Sequence, residues 1–282
     1  MKYGINTLIF TAGFTDDDVK LFPRIKDMGF DVVEISLANK GDIQPSQVAD
    51  ELSKNGLACS SVCGLFGEDR DLRGPNEEYM RNSIEYIKVL IDNAEALGAD
   101  RVVGPLYSAV GRANMEEPEA RKRQWENCKK NLKEICGYAA EKGIKIGIEP
   151  LNRFETDFIN ICADALEMAE EVGYENCGVH LDTFHMHIEE KDSAAAIRAA
   201  GDKLLMLHTC ENDRGAPGTG QIHWDEIVKA VKDTGYDDYV VIESFTQDNE
   251  IIAKAASIWR QTEKDAFTLA EKGIRFLKQN FG

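Results

Sequence analysis

The sequence lacks any apolar run of about 18 residues, the length that a transmembrane helix needs, and its first residues contain no signal-peptide hydrophobic stretch. It is also poor in positive charge, since 33 lysines and arginines face 50 aspartates and glutamates and leave a formal net charge of −17. Such an excess of negative charge argues against binding to nucleic acid phosphates and against attachment to an anionic membrane surface. We therefore expect no nucleic acid and no membrane among the partners.

The seven cysteines are an odd number and include no CxxC pairs of the zinc-binding type. Most of them lie in apolar runs, as Cys59 and Cys63 do in the stretch ACSSVC. This pattern is typical of buried, reduced thiols, and it predicts a cytoplasmic protein. No GxGxxG motif follows the first strand-like run, so nothing in the sequence supports a dinucleotide site.

Short runs rich in Val, Ile and Leu recur along the whole chain. They do not alternate strictly between polar and apolar residues, which is typical of strands buried on both faces of a sheet. The predicted strands cover residues 3–10, 31–37, 57–64, 101–104, 145–149, 177–181, 204–208 and 239–243.

Between these strands lie amphipathic helical patterns with recognisable ends. Asn76 stands ahead of Glu77 at one predicted helix start, and Gly98 follows the end of the same pattern. Eight strands that alternate with helices, in a chain of 282 residues, fit one (β/α)₈ TIM barrel of about 250 residues. No break in composition divides the chain, so we expect residues 1–282 to form a single domain. A doubly wound open sheet is the alternative, although it would more often have fewer strands.

Polar residues that could bind a metal ion stand at the ends of predicted strands five to eight. They are Glu149, Asp182, His208 and Glu243, separated by 33, 26 and 35 residues, each about one βα unit. Active sites of this fold collect at the carboxyl ends of the strands. Four adjacent strands therefore bring three carboxylates and one imidazole to the same face of the barrel.

Buried carboxylates this close together cannot all stay ionised without a cation. Three oxygen donors with one nitrogen suit Mn²⁺, Co²⁺ or Mg²⁺ better than they suit a closed zinc site. We therefore predict one divalent metal ion, Mn²⁺ or Co²⁺, with Mg²⁺ as a further candidate. The alternative is that the four residues are separate structural groups at strand ends.

Several stretches in the second half of the chain resemble the ketose 3-epimerase family, within the xylose isomerase-like TIM barrels. That family includes the D-tagatose, D-psicose (D-allulose) and L-ribulose 3-epimerases. The matching stretches are IEPLNRFE at 148–155, LDTFHMHIEE at 181–190, LHT at 207–209, ENDR at 211–214 and ESF at 243–245.

The resemblance implies a metal-dependent isomerase that inverts carbon 3 of a free ketose. It implies that Glu149, Asp182, His208 and Glu243 are the metal ligands. It also implies that three further residues, Glu155, His185 and Arg214, contact the O1 to O3 end of the sugar.

The amino-terminal half departs from the better-known family members. Asn6 stands where many have a tyrosine, and Ala109 and Val110 stand where a tryptophan is expected. The resemblance predicts that these positions form the wall around the far end of the sugar. The preferred ketose therefore stays open, among the pairs D-tagatose/D-sorbose, D-fructose/D-psicose and L-ribulose/L-xylulose.

Epimerisation next to a carbonyl requires removal of a proton and its return on the opposite face. A divalent cation on O2 and O3 would stabilise the enediolate as a Lewis acid. Glu149 and Glu243, on strands either side of the intervening pair, are predicted to trade the roles of base and acid.

Other functions on the same barrel stay open at this point. An aldose–ketose isomerase and a 3-oxo-glycoside lyase would use the same metal and carboxylate pair. A phosphodiesterase of the apurinic-endonuclease type would need clustered metals and a basic face, against which five histidines and the net charge of −17 count. A sugar-binding protein without activity would not need two carboxylates beside the bound carbon. We also expect a homo-oligomer, a dimer or a tetramer, and the sequence does not choose between them.

Overall fold

The computed structural model describes residues 1–282, and its eight parallel strands close into a barrel in sequence order. Every strand pairs with the next along the chain, and the first pairs with the last. The strands are β1 Lys2–Asn6, β2 Val32–Leu37, β3 Ala58–Gly64, β4 Arg101–Gly104, β5 Lys145–Ile148, β6 Cys177–Asp182, β7 Leu204–Thr209 and β8 Tyr239–Ile242. The predicted (β/α)₈ barrel is confirmed.

Ten α-helices surround the barrel or lie across its mouth. They are α1 Phe22–Met28, α2 Pro45–Lys54, α3 Glu77–Leu97, α4 Pro118–Glu141, α5 Cys162–Val172, α6 Thr183–Glu189, α7 Ser193–Ala200, α8 Trp224–Thr234, α9 Glu250–Ala255 and α10 Ala266–Asn280. Three 3₁₀ helices cover Thr7–Ile9, Asp16–Leu21 and Gly201–Lys203. None of the helices is both long and apolar enough to cross a membrane.

The predicted ends of α3 show how local chemistry sets these boundaries. The Asn76 side chain accepts a hydrogen bond from the Glu78 backbone N–H at 2.9 Å, which satisfies one of the unpaired donors of the first turn. At the other end Gly98 takes a left-handed conformation with a φ of +73°. That conformation costs glycine little, and so the helix stops there.

The predicted first strand, residues 3–10, is too long. β1 ends at Asn6, whose side-chain oxygen accepts a hydrogen bond from the Leu8 backbone N–H at 2.8 Å. This contact caps the 3₁₀ turn Thr7–Ile9 and diverts the chain out of the sheet. The apolar run continues past this point because the turn itself is buried.

Two short helices, α6 and α9, interrupt the expected alternation of one strand with one helix. α6 begins directly after β6, where Asp182 caps it by accepting a hydrogen bond from the Phe184 N–H at 2.7 Å. α9 follows β8 and lies ahead of α10. Both come from loops at the carboxyl ends of strands, so they cover the mouth of the barrel.

Candidate active site

The four residues predicted at the strand ends lie together in the structure. β5 ends one residue before Glu149 and β8 ends one residue before Glu243, whereas Asp182 is the last residue of β6 and His208 the last but one of β7. One ligand atom from each of the four lies within 4.8 Å of the others, and all four side chains are buried. The parallel register places Asp182 of β6 directly beside His208 of β7.

This cluster fits a divalent metal ion. Glu149 Oε1 and His208 Nδ1 are both buried without a hydrogen-bond partner among the protein groups. Such an unpaired polar atom costs about 1–3 kcal/mol. A cation bound by these two atoms, and by oxygens of Asp182 and Glu243, would remove that cost. The donor set of three oxygens and one nitrogen suits hard or borderline divalent ions.

The two glutamates of the cluster have opposite electrostatic environments. Burial raises the pKa of Glu149 well above its usual range, and the nearby Glu243 carboxylate raises it further. Burial would also raise the pKa of Glu243, but His208 and Arg214 outweigh that effect and lower it. The His208 ring nitrogen Nδ1 lies 3.6 Å from Glu243 Oε2. Similar residues in one cluster are thus made unequal by their neighbours.

Arg214 supplies a positive charge beside these carboxylates. Its Nη1 donates to Asp182 Oδ2 at 2.7 Å and to Glu243 Oε2 at 3.1 Å. The residue has a φ of +62°, which is uncommon outside glycine and asparagine. The backbone conformation is held because the Phe245 N–H donates to the Arg214 carbonyl at 2.9 Å, so the guanidinium is directed into the barrel.

His185 lies on α6 and faces the same cluster. Burial, reinforced by the Arg214 charge, lowers its pKa to about 3, so the ring is neutral at neutral pH. The Asn152 backbone N–H donates to Nδ1 at 3.1 Å. On the other side of the ring, Nε2 lies 3.0 Å from Arg214 Nη2 and 3.8 Å from Glu149 Oε1. His185 and the Arg214 guanidinium therefore lie side by side at this point.

A pocket of about 270 Å³ opens above the cluster. Its polar side chains are Glu149, Glu155, His185, Arg214 and Glu243. Its other side is apolar and is lined by Leu8, Leu65, Phe66, Pro105, Val110, Leu151, Phe245, Ile252, Ala255 and Ala256. A larger cavity of about 410 Å³, beside α7 and α8, contains none of the four cluster residues. Size alone would therefore have pointed to the wrong place.

Comparison with known proteins agrees with this geometry. Residues 22–279 match the family model described as a xylose isomerase-like TIM barrel. The chain is 32% identical to a D-psicose 3-epimerase of Enterocloster bolteae, over 100% of this chain and 96% of the relative. It is 30% identical to an L-ribulose 3-epimerase of Mesorhizobium japonicum, over 98% and 93%.

The chain belongs to the ketose 3-epimerase family. A solved structure of a family member, the D-allulose 3-epimerase of Methylomonas sp. in complex with D-allulose, superposes with a TM-score of 0.92. That protein is 28% identical, and the match covers 99% of this chain and 97% of that one. The family resemblance and the assignment to the isomerases are confirmed, and the buried cluster could hold a metal ion.

One expectation for the pocket wall of this family member is wrong. Asn6 was predicted to line the far end of the sugar site, but its side chain is fully buried and bonded to other protein groups. Ala109 does not line the pocket either, whereas Val110 does and is 47% exposed. The Asn6 side chain is directed instead at the buried carboxylates of Glu34 and Glu243, which explains the error.

The residues that sequence reasoning missed lie beneath the site. Glu34 of β2 is fully buried, and its Oε1 lies 2.8 Å from His208 Nε2. A signal was present, because Glu34 is the one charged residue within the buried strand Val32–Leu37. A lone carboxylate in a strand buried on both faces needs polar partners. One partner of Glu34 is His208, a member of the cluster.

The remaining histidines lie outside the pocket lining. His180 is fully buried, with its ring 4.0 Å from that of His208, centroid to centroid, and its Nδ1 3.6 Å from Glu149 Oε2. It forms a second, three-membered group with Glu149 and His208 that could hold a metal ion. His187 and His223 both line the separate cavity beside α7 and α8, and His223 stands directly before α8.

Proposed function

We propose that this chain inverts carbon 3 of free ketoses by proton transfer through an enediolate. The pairs we expect it to interconvert are D-fructose/D-psicose, D-tagatose/D-sorbose and L-ribulose/L-xylulose, because full-length relatives act on psicose and ribulose. The observation that carries the proposal is the placement of Glu149 and Glu243. They come from β5 and β8, belong to the same buried cluster and line the same pocket.

We assign the metal site to Glu149, Asp182, His208 and Glu243. A divalent ion held there, Mn²⁺ or Co²⁺ by our expectation and Mg²⁺ as a further candidate, would supply Lewis acidity toward the ketose carbonyl. Support comes from the unpartnered atoms Glu149 Oε1 and His208 Nδ1, which no protein group satisfies.

Glu149 and Glu243 act as the acid and base pair in this proposal. Glu149 has its two oxygens in different surroundings, since Oε1 lies toward His185 at 3.8 Å and Oε2 toward His180 at 3.6 Å. One oxygen can therefore bind the cation while the other exchanges a proton with C3. For Glu243, Asn6 donates to Oε1 at 3.2 Å while Oε2 faces Arg214 and His208. Carboxylates on opposite sides of one carbon permit removal from one face and return to the other.

Three further residues hold the reacting end of the sugar. His185 Nε2 and Arg214 Nη2 lie 3.0 Å apart and both side chains line the pocket, where they can contact the oxygens O1 to O3 of a 2-ketose. Glu155 offers an acceptor at the same wall, and Asn152 fixes its Oε1 through a hydrogen bond of 2.8 Å. Three polar side chains beside the cluster suit a polyhydroxylated carbonyl compound.

Product analysis tests this function directly. The Mn²⁺-loaded protein is incubated separately with D-fructose, D-tagatose and L-ribulose, and the products are separated by chromatography and identified by ¹³C NMR. We expect D-psicose, D-sorbose and L-xylulose. Aldoses as the main products would show an aldose–ketose isomerase instead. Cleavage of a 3-oxo-glycoside, with no conversion of any free ketose, would show a lyase.

We also propose that residues 1–282 act as one domain of a cytoplasmic homo-oligomer, a dimer or a tetramer. One continuous core of 66 buried side chains, which joins strands and helices from β1 to the residue after α10, supports the single domain. Sedimentation velocity at several concentrations measures the number of subunits, and a monomer at all concentrations would contradict the assembly.

A further inference from the structure

A buried polar network lies beneath the metal cluster, on the opposite side from the pocket. We call it the floor network and define it as Asn6, Glu34, Ser36 and Ser61. All four side chains are fully buried, and none of them lines the pocket. They come from β1, β2 and β3, the part of the barrel that contributes no predicted metal ligand.

Glu34 is the centre of this network. Its Oε2 accepts a hydrogen bond from the Ser61 hydroxyl at 2.5 Å, and its Oε1 accepts one from Asn6 Nδ2 at 2.6 Å. The same Oε1 lies 2.8 Å from His208 Nε2, within the distance of an ion pair. Both carboxylate oxygens are thus held, and one of them is directed at a ring nitrogen of His208.

The orientation of Asn6 is fixed by its other contacts. Its Oδ1 must be the acceptor of the amide, because it receives the Leu8 backbone N–H at 2.8 Å and the Ser36 hydroxyl at 2.8 Å. Nδ2 is then a donor toward both Glu34 Oε1, at 2.6 Å, and Glu243 Oε1, at 3.2 Å. The floor network therefore contacts two of the four cluster residues, His208 and Glu243.

The two nitrogens of His208 consequently have different roles. Nε2 lies 2.8 Å from Glu34 Oε1, whereas Nδ1 faces the cluster and lies 3.6 Å from Glu243 Oε2; neither nitrogen has a protein hydrogen-bond partner. A carboxylate at Nε2 holds the ring hydrogen there and leaves the Nδ1 lone pair free. It also fixes the rotation of the ring and makes the imidazole a stronger base.

We propose that Glu34 is a positioning residue that holds His208 so that Nδ1, and not Nε2, binds the metal ion. This inference rests on the proposed metal site. Asn6 assists by orienting Glu34 through the 2.6 Å hydrogen bond to its Oε1. The network thus joins the amino-terminal strands to a metal site whose ligands all come from the carboxyl-terminal strands.

The test measures Co²⁺ affinity of metal-stripped full-length protein by isothermal titration, together with the visible absorption bands of bound Co²⁺. Glu34→Gln keeps the shape and an acceptor oxygen but loses the charge, while Glu34→Ala removes the acceptor. Loss of such a partner to a metal-binding histidine lowers affinity about 10- to 100-fold. We expect the Gln variant near the lower end and the Ala variant near the upper end, with changed Co²⁺ bands in both.

Asp71→Asn is the matched control, because Asp71 is a buried carboxylate in an ion pair with Arg112 at 2.9 Å, in the loop between β3 and α3. It should lower the melting temperature but leave the Co²⁺ affinity and bands unchanged. If Glu34→Ala does not fold, as judged by circular dichroism, the conservative Gln variant decides the question.

The outcomes separate this inference from the proposed function. Wild-type affinity and unchanged bands in both Glu34 variants would overturn the positioning role and leave the metal site intact. An equal loss in Asp71→Asn would also overturn it, because the effect would then be general destabilisation. Wild-type protein that binds no Co²⁺ would overturn the metal site and the inference together.

Discussion

The mouth of the barrel has two unlike halves. Residues at or just after β5 to β8 supply the titratable groups Glu149, Asp182, His208 and Glu243, with Arg214 beside them. The opposite wall comes from the loops after β1, β3 and β4 and from α9, and its side chains are mainly apolar. The polar half can therefore bind a ligand through charges and hydrogen bonds. The apolar half can only restrict the size and shape of the ligand.

This difference separates chemistry from selectivity. Groups that move protons must be fixed, and the polar half is fixed by buried hydrogen bonds. An apolar wall cannot pair with sugar hydroxyls, and a difference of one methylene in an apolar pocket is worth only about 1–3 kcal/mol. We therefore expect changes in the polar half to reduce catalysis, and changes in the apolar half to shift the preference among ketoses.

Removal of the metal should give the largest effect. Exhaustive chelation is expected to abolish epimerisation, because three buried carboxylates would lose their cation and the substrate carbonyl its Lewis acid. Re-addition of single metals, with activity measured after each, should restore turnover, with Mn²⁺ or Co²⁺ the most effective. Full activity in protein shown by elemental analysis to be metal-free would contradict the importance of the polar half.

Replacement of Arg214 by lysine should give an intermediate effect. Lysine keeps the charge but loses the planar guanidinium, which contacts Asp182 and Glu243 and which we propose to contact the sugar as well. A hydrogen bond to a charged group is worth about 1.5–3 kcal/mol, which corresponds to about a 10- to 100-fold loss in kcat/KM. Steady-state kinetics on D-fructose, with metal content measured in parallel, tests this. Unchanged kcat/KM would show that the guanidinium does not contact the reacting end.

Replacement of Val110 by alanine should give the smallest effect. The side chain lines the apolar wall and is already 47% exposed, so we expect the ratio of kcat/KM between D-fructose and D-tagatose to change less than about 10-fold. Met115→Ala is the control, since Met115 is fully exposed and outside the pocket lining. A collapse of kcat on every ketose would contradict the division of the mouth into two halves.

The fold and the polar half could be predicted from the sequence because their signals are local. Each strand is a compact apolar run; Asp182 is the last residue of one such strand, and His208 is the last but one of the next. In this fold the carboxyl ends of all strands meet at one face of the barrel, so residues that are far apart in sequence come together there. The strand boundaries confirm this within one residue for the four cluster positions.

The floor network and the mouth helices could not be predicted in the same way. The resemblance to the family predicts Asn6 as a wall residue, but a sequence position does not reveal whether a side chain at a strand end faces the pocket or the residues beneath it. Its hydrogen bonds to Glu34 and Leu8 depend on strand register and on a 3₁₀ turn. α9, which supplies Ile252 to the wall, is too short to give a clear periodic pattern.

The central claim is that Glu149 and Glu243 serve opposite faces of one carbon. Glu149→Gln and Glu243→Gln each keep the side-chain shape and one oxygen ligand, and each should slow turnover at least about 10²-fold. The decisive measurement is ¹H NMR of C3 proton exchange in deuterium oxide, with each variant and each epimer of one ketose, at verified metal content. The account predicts that each variant exchanges one epimer without inversion, and that the two variants exchange opposite epimers. Metal-loaded variants that exchange the same epimer, or that keep full turnover, would contradict it.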